Sequence, residues 1–239
     1  MQYLAIKDII IEQISSGQLS ARQKLPSERK LAESFSTTRV TLREALSLLE
    51  AEGRIYREDR RGWFISPSPL RYDPTQNLTF EQLAKTQQRF PTVQLLTAKS
   101  SLANPQASRL LQLKPFSEVY HLERVRCLEQ RPVAFVTNYL SPERFPNLLT
   151  LELSQSLTLL YQQHFFTECA TIRYRITSRS LLGEMAQALR TTQGTPAMVI
   201  ERVRYDAQGG LIDTEISYWR HDAIVIESLL TMQEPCYDD

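Results

Sequence analysis

The 239-residue sequence predicts an α+β fold built in two parts. Three observations predict it. Up to Gly53, apolar residues recur at helical spacing in three short blocks. From about residue 80, helix-like and strand-like patterns alternate. Between the two lies a stretch with Pro67, Pro69 and Pro74 that is neither periodic nor able to continue a strand.

The first helix is marked by Ile6, Ile9, Ile10 and Ile14, a single stripe that ends at Ser15-Ser16-Gly17. A second opens at Pro26-Ser27-Glu28, with Ser27 as its cap and Leu31, Ala32 and Phe35 on its buried face. The third takes Thr38 as its cap and carries Leu42, Ala45, Leu46 and Leu49. Gly53 follows, where a helix C-terminus favours a left-handed residue. Two short helices separated by Ser36-Thr37-Thr38 have helix-turn-helix spacing. Residues 54–57, a charged turn from Glu58 to Gly62, and Trp63-Phe64-Ile65 read as a hairpin. In the second part, helices are expected at 104–113, 154–164 and 178–189. Strands are expected at 119–128, 132–140, 171–177, 197–206 and 211–219. Short connections at 129–131 and 207–210 make two hairpins, so the sheet should be mainly antiparallel with flanking helices.

Composition narrows the function. A chain 42% hydrophobic and 23% charged is ordinary for a globular protein, and no apolar run approaches the roughly 20 residues a membrane helix needs. The stretch from Met1 to Ile14 carries Lys7, Asp8 and Glu12 where a secretory signal has an uncharged core, so a cytoplasmic location and no membrane partner are expected. Cys127, Cys169 and Cys236 are odd in number and lack CxxC spacing, which argues against a disulfide framework or a zinc ribbon. The net charge is +1, and residues 1–66 hold 11 basic against nine acidic residues. Any nucleic-acid site must therefore be a local patch.

An internal echo stands out. Leu122-Glu123-Arg124-Val125-Arg126 returns as Ile200-Glu201-Arg202-Val203-Arg204, each after a helix and before a turn and an outgoing strand. Either two amphipathic hairpins look alike by chance, or the second part is a duplicated helix-hairpin unit whose pseudo-twofold places a cleft between its halves.

Leu25-Pro26-Ser27-Glu28-Arg29-Lys30-Leu31-Ala32, Thr38-Arg39-Val40-Thr41-Leu42-Arg43-Glu44-Ala45-Leu46, Leu49, Gly53 and Gly62-Trp63-Phe64-Ile65 together resemble the winged helix-turn-helix of GntR-family bacterial transcription regulators. The second part resembles the UTRA effector domain of the HutC subfamily. The cues are Val119 to Arg126, Arg131-Pro132-Val133-Ala134, Gly194-Thr195-Pro196-Ala197 and Glu201-Arg202-Val203. That fold is itself similar to a chorismate lyase. The resemblance implies a DNA-binding domain over 1–66, a linker over 67–79, and an effector-binding and dimerisation domain over 80–239. Within the subfamily, Thr37-Thr38-Arg39, Asp59 to Phe64, Asp73 to Asn77 and Tyr218 to Asp222 are similar to regulators of 2-aminoethylphosphonate uptake and breakdown.

The candidate sites follow. Arg39, Thr41 and Arg43 fall in the first turns of the third helix, away from its apolar stripe, as in a recognition helix entering the major groove. An arginine there can hold guanine bidentately, whereas a threonine reads less selectively. Arg29 joins them by the resemblance, and the alternative is a solvated helix face. Arg60, Arg61 and Gly62 form the wing tip. The family usually carries glycine where Arg60 stands, and arginine can instead enter a narrow minor groove or hold phosphate.

Arg124 and Arg126, two apart on a strand, share a face. Two guanidinium groups aimed at one spot suit a phosphate or phosphonate. The alternative is ion pairing with Glu123 or Glu201. The resemblance adds Ser156, at the start of a helix, to the anion site. Asp213 and Glu215 share a face of the last strand and could hold an ammonium group, or could be solvated. Trp219 is a core residue or an aromatic wall of the site.

Catalysis finds no constellation. His121, His164 and His221 lack metal-ligand spacing, and there is neither GxSxG nor a glycine-rich phosphate loop, so no catalytic residue, metal or cofactor is expected. The expectation is a homodimeric regulator that binds double-stranded operator DNA and a small phosphonate- or phosphate-bearing effector. The competing readings are a phosphosugar sensor or an enzyme acting on a small anion.

Overall fold

A computed structural model describes residues 2–230. Its first part holds three helices, α1 (Gln2–Ser15), α2 (Glu28–Ser34) and α3 (Arg39–Ala51), and a hairpin of β1 (Ile55–Glu58) and β2 (Gly62–Ile65). Caps set the helix starts. The Lys30 amide donates to the Ser27 hydroxyl (3.4 Å), and the Thr41 amide donates to that of Thr38 (3.2 Å). Leu42, Ala45, Leu46 and Leu49 are wholly enclosed and pack with Ile6, Ile10, Leu31, Ile55 and Trp63. The stripe on α1 is narrower than its spacing suggests: Ile9 faces solvent and Ile14 is half-buried. Gly53 has φ +69° and closes α3; a side chain there would meet the Asp222 backbone at 3.5 Å.

The second part is a six-stranded antiparallel sheet. Its strands are β4 (Pro91–Leu102), β5 (Glu118–Leu128), β6 (Arg131–Leu140), β7 (Thr171–Ser180), β8 (Pro196–Tyr205) and β9 (Leu211–Arg220), in the order β4-β5-β6-β9-β8-β7. Helices α5 (Pro105–Leu111), α6 (Leu157–Phe165) and α7 (Gly183–Ala188) flank it. The unit β4-α5-β5-β6 is repeated as β7-α7-β8-β9, and the two meet at the β6-β9 ladder, so the sequence echo corresponds to a repeated topology.

Several elements differ from the expectations. β4 and helix α4 (Phe80–Thr86) lie where the sequence carries no regular pattern. β4 is a half-exposed edge strand interrupted by an irregularity between Leu95 and Thr97, which breaks its alternation. α4 is held by a reciprocal cap between Thr79 and Gln82. The helix expected over 178–189 is shorter, because Ser178, Arg179 and Ser180 continue β7 opposite Met198, Ala197 and Pro196.

The segment 67–79 is more than a plain linker. Leu70–Tyr72 forms β3, which pairs in parallel with β10 (Ile224–Ile226) and buries Leu70 and Tyr72. Cys236 and the end of the span 80–239 lie outside the described residues. Among the described residues no helix is long and apolar enough to cross a membrane.

Candidate effector cavity and nucleic-acid interface

In antiparallel register, residues directly opposite share a face. Arg124 and Arg126 on β5, Asn138 on β6, Asp213 and Glu215 on β9, and Arg202 and Arg204 on β8 therefore stand on one side of the sheet. A cavity opens over this face, closed by residues 77–81 and by the start of α6. Arg124, Arg126, Arg202, Arg204, Glu215, Glu81 and Ser156 all line it. Four guanidinium groups against Glu81, Glu215 and the Asp213 beneath Arg204 leave it a net positive site. Arg202 and Arg204 were not among the expected site residues, although the repeat that duplicates Arg124 and Arg126 pointed to them.

The cations are not equivalent. Arg126 forms a bidentate pair with Glu215 (3.0 and 2.9 Å), and Arg202 reaches the same carboxylate at 2.5 Å. Arg204 forks onto Asp213 (2.6 and 2.6 Å) and donates to Thr158 (2.6 Å), while Tyr161 donates to Asp213 (2.7 Å). Burial alone would lower the Arg202 and Arg204 pKa values, but Glu215 and Asp213 respectively reverse this and raise them. Burial would likewise raise Glu215, yet the Arg126 and Arg202 charges hold it well below the usual carboxylate range.

Arg124 has no carboxylate. Its guanidinium donates to the carbonyls of Leu153 (3.5 Å) and Gln155 (3.2 Å) and to Asn138 Oδ1 (3.0 Å), and its Nε is buried without a partner. Burial, and then the neighbouring Arg126 charge, push it down to about 10. Ser156 is the N-cap of α6, but its hydroxyl makes no cap bond, which leaves it and the helix amides available beside Arg124.

Two readings change here. Arg124 and Arg126 do not both stand free for an anion: the alternative of ion pairing holds for Arg126, but through Glu215, while Glu123 and Glu201 face His121 (3.4 Å) and Arg109 (3.1 Å). Asp213 and Glu215 are not an acidic pair free to hold an ammonium group, since arginines occupy the oxygens of both. Trp219 is buried, donates to the Ser217 hydroxyl (3.1 Å) and meets Phe80 edge-on at 6.0 Å. It backs the cavity wall without lining it.

On the first part, Arg29, Arg39, Arg43, Arg60, Arg61 and Gly62 gather around one groove with Lys24, Arg57 and Glu28. Arg43 donates to Glu28 (2.8 Å), which also accepts from Trp63 Nε1 (3.2 Å), yet its side chain stays 63% exposed. Arg61 pairs with Glu58. Thr41 lies outside the groove lining, with its hydroxyl 3.1 Å from that of Thr38. Arg60 is 93% exposed with φ +57°, a left-handed backbone shape that suits glycine. Gly62 has φ +99°.

The two parts are clamped together. Tyr56 of β1 lies beneath Arg131 (3.6 Å from its ring centroid) and Arg220 (5.0 Å), and Asp222 joins both arginines. Arg220 also donates to the Arg57 carbonyl (3.3 Å), His221 Nε2 to that of Glu50 (2.7 Å), and the Asp59 amide to that of Arg190 (3.0 Å). Strand β9 thus runs from Asp213 and Glu215 at the cavity to Arg220 at the clamp, and the Tyr218 to Asp222 stretch is where the parts meet.

Comparison with known proteins agrees with this architecture. Residues 2–65 match the family described as bacterial regulatory proteins, gntR family, and residues 86–224 match the UTRA domain. The HTH-type transcriptional regulator YihL of Escherichia coli K12 is 31% identical over 84% of this chain and 86% of its own length. The HTH-type transcriptional repressor NagR of Bacillus subtilis is 27% identical over 92% and 90%. The crystal structure of PhnF from Mycobacterium smegmatis superposes with a TM-score of 0.67 at 21% identity, covering 95% of this chain and 100% of that one. The chain belongs to the GntR family of bacterial regulators, in the group whose second domain is UTRA, and is a transcriptional regulator rather than an enzyme.

Proposed function

We propose that this regulator is a homodimeric, operator-binding repressor released by a small phosphonate, with 2-aminoethylphosphonate as first choice, and that it controls phosphonate uptake and catabolism. The observation that carries the anionic half is Arg124: a residue 4% exposed whose guanidinium has no carboxylate, beside a free Ser156 hydroxyl and the amides of α6. An uncompensated buried charge is costly, and an anion entering the cavity supplies the missing partner. Repression accords with the name of the NagR relative. Operator contact falls to Arg29, Arg39, Arg43, Arg60 and Arg61, with Thr41 and Gly62 shaping the helix start and the wing. Twofold symmetry then doubles the few base pairs that one α3 can read.

The choice of a phosphonate rests on the similarity in the wing, in residues 73–77 and in residues 218–222. A phosphosugar is the rival because its phosphate suits the same groups. Calorimetry with 2-aminoethylphosphonate and glucosamine 6-phosphate separates them. Heat from the phosphonate is expected; heat from the sugar alone refutes the phosphonate, and heat from neither refutes an anion site.

A further inference from the structure

Resting on the reading of the cavity as an anion site, we infer that Glu81 is the residue that selects a ligand carrying a protonated amine in addition to its anionic end. The cavity holds two carboxylates, and they differ in what they have left to give. Glu215 has both oxygens engaged, Oε1 by Arg126 and Arg202 and Oε2 by Arg126. Asp213, deeper in the sheet, is forked by Arg204 and bonded by Tyr161, and does not line the space. Glu81 lines it, and among the described residues it makes no ion pair and no side-chain hydrogen bond. It shares the lining of this one cavity with Arg124 and Ser156, and it is the carboxylate there that no arginine occupies.

The placement is fixed from two sides. Glu81 sits in the first turn of α4, whose start is pinned by the Thr79-Gln82 cap. The adjacent Phe80 ring is buried between the Arg126 guanidinium, 5.3 Å from its centroid, and Trp219. A small zwitterion with its anion on Arg124 and Ser156 then meets an unoccupied carboxylate with its ammonium group. A simple anion of the same shape meets the same carboxylate with nothing to offer it, and the repulsion counts against it.

The test is calorimetry on the full chain with two matched pairs, 2-aminoethylphosphonate against ethylphosphonate and glucosamine 6-phosphate against glucose 6-phosphate, in wild type and Glu81→Gln. The expected result is a preference of roughly tenfold or more for the amine of the bound pair in wild type, falling to within about twofold in Glu81→Gln. The variant's affinity for the amine-free ligand should be equal to or tighter than wild type, which also reports that the site is folded. Retention of the preference in Glu81→Gln overturns the assignment, as does a wild type that ignores the amine. Binding of the sugar pair alone removes the phosphonate while leaving Glu81 to be judged on that pair. No heat from any ligand overturns both this inference and the anion site beneath it.

Discussion

Replacing Arg124 by methionine should lower the stability of the ligand-free protein only modestly while abolishing its stabilisation by ligand. The drop of the Arg124 pKa to about 10 from the ordinary arginine value corresponds to about 3 kcal/mol against the charged form in the fold. Methionine removes that cost and keeps an apolar stem. It also withdraws charge-assisted hydrogen bonds from Leu153, Gln155 and Asn138, worth about 1.5 kcal/mol each. The two largely cancel, so the unfolding free energy should fall by no more than about 2 kcal/mol. Glu215→Gln is the contrast: it leaves Arg126 and Arg202 buried without their shared carboxylate, which costs about 3–5 kcal/mol. Urea unfolding followed by tryptophan fluorescence measures both. Ligand at about 100 times its Kd should add about 2.7 kcal/mol to wild type and nothing to Arg124→Met. A methionine variant as unstable as Glu215→Gln, or one still stabilised by ligand, refutes the view of Arg124 as an unpaired cation kept for an anion.

Arg39→Ala and Arg43→Ala should each weaken operator binding by about 1–3 kcal/mol or lower its salt dependence, with unchanged melting temperature; unchanged affinity and salt slope in both would remove α3 from the groove. Leu42→Ala, at a wholly enclosed position, should cost about 2–5 kcal/mol in denaturant titration. Because Glu215 and Asp222 are held below their unfolded values by arginines, the stability they contribute is present above the unfolded carboxylate pKa values, 4.5 for the glutamate and 3.8 for the aspartate. It is lost as pH falls through the lower folded values, so melting temperature should be flat from neutrality to about pH 5 and then decline. In Glu215→Gln that acid decline should be shallower. Sedimentation of the full chain at micromolar concentration should give a dimer, and monomers would contradict the proposed symmetry.

The first part was legible because its helices are short, capped and amphipathic: Ser27, Thr38 and the Leu42 to Leu49 stripe each state their role locally. The central strands were legible because Val119 to Leu128 and its echo at Ala197 to Tyr205 are rich in β-branched and aromatic residues and are followed by short turns. What escaped were elements defined by distant partners. β3 is three residues long and exists because Ile224 to Ile226 lies beside it. β4 is an edge strand with a broken pattern, and α4 depends on a Thr79-Gln82 cap in a polar stretch. At the cavity, the two-residue spacing of Arg124 and Arg126 pointed to a shared face. Which arginine keeps its charge unpaired is decided by Glu215 and Asp213 two strands away, and spacing along one strand carries no trace of that. Glu81, from a different element altogether, carried no sequence signal.

Release from DNA by the ligand, as proposed above, requires that an anion bound at Arg124 be felt at α3, and β9 with the clamp on Tyr56 is the route the contacts provide. The most direct measurement is fluorescence anisotropy on a duplex selected from randomised DNA, titrated with 2-aminoethylphosphonate against wild type, Arg124→Met and Tyr56→Ala. The account predicts that the ligand lowers duplex affinity in wild type and has no effect on Arg124→Met. In Tyr56→Ala the ligand should still bind by calorimetry, with the change in duplex affinity reduced. An equal ligand response in all three proteins, or none in a wild type that binds the ligand, would contradict it.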